Sequence, residues 1–431
     1  KELDKNLILS SFFTYKRTET PEEINSIQDD EDFLLLNKET DKFKKASKKW
    51  IFENKLDAVI GFNGRIDLVR AVRIACKESS INFLSVEMPW FGKGLLITPN
   101  ESPSGTNELK KMYNQFKNKP LTQYQIKEVY QPILKRFKKL NKSEYKQFNK
   151  DHKKIEWGII NKKSNKKVLF LPSSRSELLG DIKYEKYVWR HPLDSIEYLL
   201  NKKMICKDDL IIRFHPIWSQ NVFNRDGDNI INYYESFCLK HKIKYIKSEE
   251  KIDSNFLIRE SDLLIINGSS SFFEGSLIGK PVLSLSKSFY DCSKIAFKFH
   301  SKEDMILISN LFENDFQVDK VKIIRKAMRF LYTFKNRFTQ FTNNLVYENP
   351  FELFCNYNEI NNNIIHTCKY GNLISSDKSY STSRKDEDDF LNNFVENKFD
   401  LNVLELIKDD FNGNKILRKP LYRFIDKIYK N

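Results

Sequence analysis

The stretch that decides the fold runs from residue 262 to residue 281 and reads DLLIINGSSSFFEGSLIGKP. It begins with an apolar run typical of a buried strand, continues through small polar residues, and ends in a helical pattern. A strand followed by such a turn and a helix is the repeating unit of a parallel sheet. The stretch therefore predicts an α/β fold.

The turn inside this stretch also predicts an anion site. Backbone N–H groups and the positive end of the helix dipole point outward where such a helix begins, and both attract phosphate. Glu274 follows inside the helix, where its carboxylate could accept hydrogen bonds from ribose hydroxyls. We predict nucleotide binding by Asn267, Ser269, Ser270, Ser271 and Glu274. The structural alternative is that the serines only cap the helix.

Further apolar runs, each followed by Gly, Ser or Asn, predict two series of strands. The first comprises residues 6–13, 58–62 and 82–86, and the second comprises 168–171, 210–214, 244–247, 263–266 and 282–285. Two series predict two Rossmann-like domains with parallel sheets, 1–160 and 161–345, whose strand ends face an interdomain cleft. Residues 346–431 are less regular and are predicted to form a mostly helical extension.

Composition narrows the class of protein. Among 431 residues, 73 Lys and Arg against 58 Asp and Glu give a net charge of +15. This charge favours anionic partners, although lysine and asparagine are overused along the whole chain, as a biased genome would also produce. The six cysteines form no C-x-x-C pair, which argues against a zinc knuckle and favours a reducing compartment. No apolar run approaches the roughly 18–20 residues that span a bilayer, and no signal-peptide pattern opens the chain, so we expect a cytoplasmic protein.

Residues 209–218, DLIIRFHPIW, place Arg213 and His215 at the end of a predicted strand. Pro216 ends the ladder, so the imidazole is expected at the carboxyl edge of the sheet. Beside a phosphate the pKa of His215 should rise, and a protonated imidazole stabilises charge on a departing phosphate oxygen. We predict that both residues bind nucleotide and that His215 is catalytic. His191 also precedes a proline, but no strand leads to it, and we interpret it as structural.

Residues 168–181, VLFLPSSRSELLGD, bring two serines and a glutamate to the same edge. We predict that Ser173 and Ser174 bind substrate and that Glu177 acts as nucleophile or base. The spacing from Ser174 to Glu177 fits a capping box equally well, which is the structural alternative.

Two segments after strands of the first series, GFNGR at 61–65 and SVEMPWFGKG at 85–94, are expected to face the nucleotide across the cleft. We predict that Asn63 and Arg65 bind substrate, because the fork of donors on arginine suits an acidic sugar or a phosphate. Glu87 lies close to Trp90 in sequence and is predicted to be a catalytic acid or base with a raised pKa. The alternative is that these charged residues form ion pairs that close the domains.

Together these segments resemble the bacterial capsule and lipopolysaccharide polysaccharide glycosyltransferases that include the β-Kdo transferases. The matching pieces are NGR at 63–65, the strand-ending Glu87, PSS-x-x-E at 172–177, R-x-H-P at 213–216, and the serine run before Glu274 with GKPV at 279–282. The resemblance covers roughly residues 56–290 and implies the GT-B architecture. In that architecture the first domain would lie on the acceptor side and the second would hold the nucleotide sugar.

The resemblance implies transfer of an acidic sugar, Kdo or a related nonulosonic acid, from a CMP-sugar to a lipid-linked or growing surface polysaccharide. It implies that His215 and the serines contact the CMP phosphate, that Glu274 contacts the ribose, and that Glu87 and Glu177 carry out the sugar chemistry. Ser176 stands where the family often has an acidic residue, so a retaining mechanism is not carried over; Asp181 is a candidate substitute. No metal or cofactor is expected.

Three other functions remain open from the sequence. A CDP-glycerol-type polymer transferase would use the same R-x-H-P segment and serine-rich helix start, and a noncatalytic partner subunit would share the fold. A noncatalytic anionic-polymer or nucleic-acid binding protein is disfavoured because the lysines are dispersed, so no nucleic-acid partner is expected. Near the end of the chain, Leu421, Phe424, Ile425 and Ile428 could form a basic amphipathic helix. Such a helix would rest on the anionic inner membrane or pack on the protein.

Overall fold

A computed structural model describes residues 8–27, 30–141, 152–162, 165–175, 189–221, 227–349, 352–355, 362–407, 411 and 413–416. The predictions for Ser176, Glu177, Asp181 and the amphipathic pattern at 421–428 lie outside these residues.

Helices and strands alternate along most of the described chain. The helices are α1 (Leu9–Lys16), α2 (Pro21–Ser26), α3 (Glu31–Glu53), α4 (Asp67–Glu78), α5 (Asn107–Phe116), α6 (Gln123–Phe137), α7 (Trp157–Ile160), α8 (Pro192–Asn201), α9 (Asp228–His241), α10 (Ser254–Glu260), α11 (Ser271–Ser276), α12 (Met305–Glu313), α13 (Lys320–Tyr332), α14 (Asn362–Tyr370) and α15 (Lys385–Glu396). The strands are β1 (Ala58–Phe62), β2 (Asn82–Glu87), β3 (Leu96–Pro99), β4 (Val168–Leu171), β5 (Leu210–Arg213), β6 (Lys244–Ile246), β7 (Leu263–Ile266), β8 (Val282–Ser284), β9 (Phe297–Lys298), β10 (Leu345–Asn349), β11 (Glu352–Cys355) and β12 (Asn414–Ile416).

The second series of strands forms a parallel sheet of six strands in the order β6-β5-β4-β7-β8-β9. This is the strand order of the Rossmann fold, in which the direction of winding reverses between the first strand and the fourth. Leu169 and Leu264 pack on one face of the sheet, while Phe170 and Ile265 pack on the other. Burial on both faces explains why these strands are continuous apolar runs, and the predicted α/β fold is confirmed.

The first half carries a smaller sheet than the sequence predicted. It has three strands in the order β1-β2-β3; β1 and β2 are parallel, as expected, and β3 runs antiparallel to β2. The prediction of a strand over residues 6–13 was wrong, since Leu9–Lys16 is helix α1. Phe12 packs edge-on against Phe33 of α3, with ring centroids 5.3 Å apart. This helical packing, and not a ladder, buries the apolar run.

Helices α5 and α6 share a core with the six-stranded sheet. Tyr130 of α6 donates a hydrogen bond to the carbonyl of Leu277 at 3.0 Å and packs against Phe394 of α15. Helix α13 continues through a π-helical turn, Thr333–Phe338, and contacts α6. The proposed domain boundary at residue 160 stays a prediction, and α5 and α6 lie against the second half.

The described residues after 345 contain helices α14 and α15 and also an antiparallel sheet of β10, β11 and β12, which the sequence did not predict. The mostly helical extension stays a prediction for the region as a whole. This region returns to the first half: Val346 bridges to Lys93, and the side chain of Asn82 donates to the carbonyl of Cys368 at 2.9 Å. Within the described ranges, no helix combines the length and apolar character needed to cross a bilayer.

Candidate functional site

The candidate site lies where the winding of the six-stranded sheet reverses, at the carboxyl ends of β4 and β7. Ser173 follows β4, and Asn267 follows β7. The backbone N–H of Ser173 donates to Asn267 Oδ1 at 2.7 Å, and the Ser173 hydroxyl donates to the Asn267 carbonyl at 2.9 Å. These two predicted ligand-binding residues are therefore adjacent, and their bonds to one another fix the two strand ends.

The segment Gly268–Ser271, called here the serine turn, follows directly from β7. Gly268 has φ of +106°, a conformation that residues with a side chain rarely adopt. The Ser269 hydroxyl accepts from the backbone N–H of Ser271 at 3.1 Å and lies 3.0 Å from the Ser271 hydroxyl. All three serines are partly exposed. Helix α11 has only six residues, so its dipole is weaker than the sequence suggested.

Arg136 of α6 reaches the serine turn from the first half of the chain. Its Nη1 donates to the Ser270 hydroxyl at 3.1 Å and to Glu274 Oε1 at 2.5 Å. The guanidinium lies 3.8 Å from the ring centroid of Trp90, a stacked cation–π contact. Glu274, predicted to bind ribose, is buried and ion-paired with Arg136. Sequence reasoning missed Arg136 because it lies on a lysine-rich helix with no distinctive spacing.

His215 follows β5, beside β4, as predicted. Its Nδ1 accepts a hydrogen bond from the backbone N–H of Ile217 at 3.2 Å. Arg17 donates to the carbonyls of Gln220 at 2.6 Å and of Ile217 at 3.0 Å. Burial, followed by the charges of Arg213 and Arg17, lowers the pKa of His215 to about 4. Without a ligand the imidazole is therefore neutral at pH 7 and carries its proton on Nε2, whereas the sequence suggested a raised pKa beside phosphate.

Arg213, whose role as a nucleotide ligand stays a prediction, donates its hydrogen bonds to backbone carbonyls. Its side chain is buried, and its guanidinium donates to the carbonyls of Lys247, of Glu250 at 2.8 Å and of Phe214 at 3.2 Å. These acceptors belong to the segments after β5 and β6. Arg213 therefore ties two strand ends together inside the protein.

A buried glutamate that sequence reasoning missed lies against the end of β4. The carboxylate of Glu19 accepts from the Ser174 hydroxyl and from the backbone N–H of Arg175 at 2.7 Å. The Arg175 guanidinium donates to the Glu19 carbonyl at 3.0 Å. Thr20 and Glu23 form a capping box that begins α2 one residue later. A T-P-E-E pattern at 20–23 predicts that helix start, but nothing in the sequence predicts the contact with Ser174.

In the first half, Asn63 and Glu87 meet at the carboxyl ends of β1 and β2. Asn63 Nδ2 donates to Glu87 Oε2 at 3.0 Å. Burial, followed by the Glu87 carboxylate, raises the pKa of Tyr347 to about 12. Arg65 instead donates to Ser10 at 2.7 Å and to Thr14 at 3.0 Å, so it holds α1 against the end of β1. Its predicted role in substrate binding is not supported by these contacts.

The segment after β2 connects Glu87 with the serine turn. Trp90 lies three residues beyond Glu87, stacks on Arg136, and has its ring centroid 6.1 Å from that of Phe273 in α11. Trp90 and Arg136 therefore connect the segment of Asn63 and Glu87 with the serine turn. Among the described residues, no group of three or more His, Cys, Asp or Glu is arranged to hold a metal ion. Metal independence stays a prediction.

Comparisons with known proteins found solved structures of low similarity to this chain. No family model matches the chain, and no curated protein matches it by sequence. Thermosulfurimonas dismutans KpsC, beta Kdo 2,4 transferase, aligns at 14% identity and a TM-score of 0.41, covering 79% of this chain and 87% of that chain. The beta Kdo 2,7 transferase of the same KpsC aligns at 11% identity and a TM-score of 0.38, covering 82% and 89%. Methanocaldococcus jannaschii UDP-GlcNAc 2-epimerase aligns at 13% identity and a TM-score of 0.30, covering 69% and 81%.

Proposed function

We propose that the chain is a metal-independent glycosyltransferase of GT-B architecture that moves an acidic sugar from a CMP-sugar to a lipid-linked or growing surface polysaccharide. The sugar would be Kdo or a related nonulosonic acid. The observation that supports the proposal is the position of Ser173 and the serine turn where the winding of a Rossmann-type sheet reverses, with His215 at the end of the neighbouring strand β5. Ligands of such sheets bind at this point. Arg136 and Trp90, from the first half, close the same site.

The chemistry requires a stabilised leaving phosphate and a base. The bond between the anomeric carbon and the CMP phosphate oxygen breaks, a bond to an acceptor hydroxyl forms, and the proton of that hydroxyl leaves. The neutral His215 would donate its Nε2–H to the departing phosphate, beside the hydroxyls of the serine turn. Glu87, oriented by Asn63, is our candidate to accept the proton. Glu177 remains the second predicted carboxylate.

Thermal melting with nucleotides tests the binding site first. We expect CMP to raise the melting temperature, since a ligand at 100 times its Kd adds about 2.7 kcal/mol of stability. His215→Asn keeps an acceptor for the Ile217 N–H but has no group at the position of Nε2, whereas His215→Gln places an amide near that position. We expect the Asn variant to lose more CMP affinity than the Gln variant. The absence of a shift with CMP, CDP, UDP and GDP would remove the nucleotide site.

Donor hydrolysis tests the sugar. The protein would be incubated with a panel of CMP-sugars and UDP-sugars and with CDP-glycerol, and the released nucleotide measured. We expect slow release of CMP from a CMP-nonulosonic acid, with a loss of at least about tenfold for Glu87→Gln because a general base contributes 10²–10⁴-fold. Release of CMP together with glycerol phosphate transfer would identify the polymer transferase instead.

We also propose that the protein works at the cytoplasmic face of the inner membrane, in peripheral contact with anionic lipid. The support is the basic and apolar sequence of residues 417–431. Co-sedimentation with anionic vesicles, but not with zwitterionic ones, is the expected result, and a chain lacking residues 417–431 should remain in the supernatant.

A further inference from the structure

A cavity of about 1380 Å³ lies beside the carboxyl end of β8, and no residue of the proposed donor site lines it. One wall is α5 and the turn after it. The second wall is the segment 287–294 after β8, and the third is the beginning of α13 with Arg384 beside it. The volume exceeds the roughly 300–1,000 Å³ typical of small-molecule pockets. A ligand that fills the cavity is therefore larger than one sugar.

The side chains that line the cavity are strongly basic. Nine of them are Lys or Arg and two are Asp. Arg325 and Arg329 are ion-paired with the buried Glu387, whose Oε2 lies 3.3 Å and 2.6 Å from them, and Arg325 also pairs with Asp388 at 2.7 Å. The other seven, which include Lys110, Lys287, Lys294, Lys322 and Lys326, form no ion pair within the part of the chain that the structure describes.

Unpaired like charges around a concave surface attract anions. Each lysine repels the others, and the low-dielectric walls focus the combined field into the cavity. A ligand with several negative charges would relieve this repulsion at several points at once. The two aspartates offset only part of this charge, since they are two against seven: Asp319 caps α13 by accepting from the backbone N–H of Lys322 at 2.9 Å, and burial raises the pKa of Asp291 to about 6.

The segment after β8 that lines the cavity packs against α11, the helix that follows the serine turn. Phe289 lines the cavity and lies 6.0 Å from Phe273 of α11, centroid to centroid. Tyr290, the next residue, stacks on Phe272 of the same helix at 4.2 Å. A ligand held in the cavity therefore rests against the same aromatic cluster that positions the serine turn.

We propose that this cavity binds an acidic oligosaccharide, the acceptor chain, through carboxylates repeated along its length. The inference rests on the proposed function, which supplies the reason for an acidic glycan near the donor site. Lys322 and Lys326, one turn apart on α13, contact the ligand on one wall, and Lys110 of α5 and Lys287 contact it from the other walls.

Binding of defined oligosaccharides tests the proposal. Hexagalacturonate is the acidic probe, maltohexaose is the neutral probe, and hexathymidylate is an anion of another class; binding is measured by calorimetry at physiological ionic strength. The test variant is Lys322→Glu with Lys326→Glu. The control is Lys38→Glu with Lys42→Glu on α3, which makes the same change of charge at the same helical spacing on exposed residues.

We expect hexagalacturonate to bind and maltohexaose not to bind. The α13 variant should weaken the affinity for hexagalacturonate roughly tenfold or more, whereas the α3 variant should change that affinity less than about twofold. The CMP-induced rise in melting temperature should persist in the α13 variant, which also shows that it folds. Equal weakening by both variants, or hexathymidylate binding as tightly as hexagalacturonate, would overturn the proposal. Loss of the CMP shift in the α13 variant would assign the cavity to the donor and overturn it too. A CMP shift without hexagalacturonate binding refutes the cavity proposal alone, whereas binding without any nucleotide shift refutes the proposed function.

Discussion

Arg136 and Glu274 form the ion pair that joins the first half of the chain to the serine turn, and the structure predicts that the two residues are strongly coupled. The side chains are 15% and 9% exposed, and Nη1 lies 2.5 Å from Oε1. We consider the variants Arg136→Met, which keeps an apolar stem against Trp90, and Glu274→Gln, together with the double variant. The four proteins form a double-mutant cycle.

The magnitude follows from charge and burial. Two unit charges about 4 Å apart at an effective dielectric constant of about 20 attract by about 4 kcal/mol, and desolvation of both groups offsets part of this. Arg136→Met alone leaves a buried carboxylate and should cost about 3–5 kcal/mol. We expect a coupling free energy of about 2–3 kcal/mol, within the range measured for close charge pairs.

Urea unfolding, followed by tryptophan fluorescence and by circular dichroism, gives the free energy of unfolding of each protein, provided that the two transitions coincide. The matched control is Glu39 and Lys42, an exposed pair on α3 with a 2.7 Å N–O distance, for which we expect a coupling of about 0.3–0.5 kcal/mol. If the coupling of Arg136 with Glu274 is no larger than that of the control, Arg136 does not hold the serine turn and our description of the site is wrong.

Three further changes test the surroundings of the site. The Glu19 carboxylate accepts from two donors, so Glu19→Gln should lower the free energy of unfolding by about 1.5–3 kcal/mol. The control Glu22→Gln, at an exposed residue, should change it by no more than about 0.5 kcal/mol. Equal effects of the two substitutions in urea titrations would refute the assigned hydrogen bonds. Burial, followed by the charge of Lys298, lowers the pKa of His300 to about 4, while the unfolded chain binds that proton near pH 6.5. The free energy of unfolding should therefore fall by up to about 3 kcal/mol for this group as the pH drops from about 6.5 to 4. The melting temperature of His300→Gln should fall less steeply over this range than that of the unmodified protein. Parallel curves of melting temperature against pH would show that His300 is not the cause. Gly94 has φ of +74°, and an added Cβ would lie 2.4 Å from the carbonyl oxygen of Gln340, so Gly94→Ala should destabilise by roughly 1–3 kcal/mol. Gly158→Ala, with no atom within 4 Å of the added carbon, should not, and calorimetric melting distinguishes the two.

The sequence predicted the second sheet well because its strands are buried on both faces. β4, β5 and β7 are continuous apolar runs, each ending in polar or small residues, and that pattern is typical of buried strands in a parallel sheet. β9 has two residues and lies at the edge of the sheet, so it is too short to show a hydrophobic pattern from which a strand could be predicted. Residues 6–13 are apolar enough for a strand, but Leu9 begins helix α1, in which Phe12 packs on Phe33 of α3.

The candidate site was predictable to the extent that it depends on sheet topology. Parallel strands share a carboxyl edge, so Ser173, His215 and Asn267 had to approach one another once β4, β5 and β7 were adjacent. Glu19 and Arg136 come from helical regions far from these strands in sequence. Their contacts depend on how the two halves pack, and no local pattern in a single sequence encodes that packing.

Arg213 and Arg65, whose predicted ligand-binding roles stay predictions, both donate to acceptors within the protein for a common physical reason, and the reason bears on where ligands bind. A guanidinium offers five donors in a plane, so it is the side chain best suited to satisfy several acceptors where loops meet inside a protein. Arg213 and Arg17 use theirs on backbone carbonyls, Arg65 uses its own on two hydroxyls, and Arg329 uses its own on Glu387 and on the Lys117 carbonyl. The positive charge left to attract a ligand is therefore carried mainly by lysines, and six lysines line the cavity beside β8. A biased genome could explain the net charge of +15 on its own, but dispersed lysines do not require three separate elements to converge on one concave surface, and this convergence supports the proposed role of the cavity.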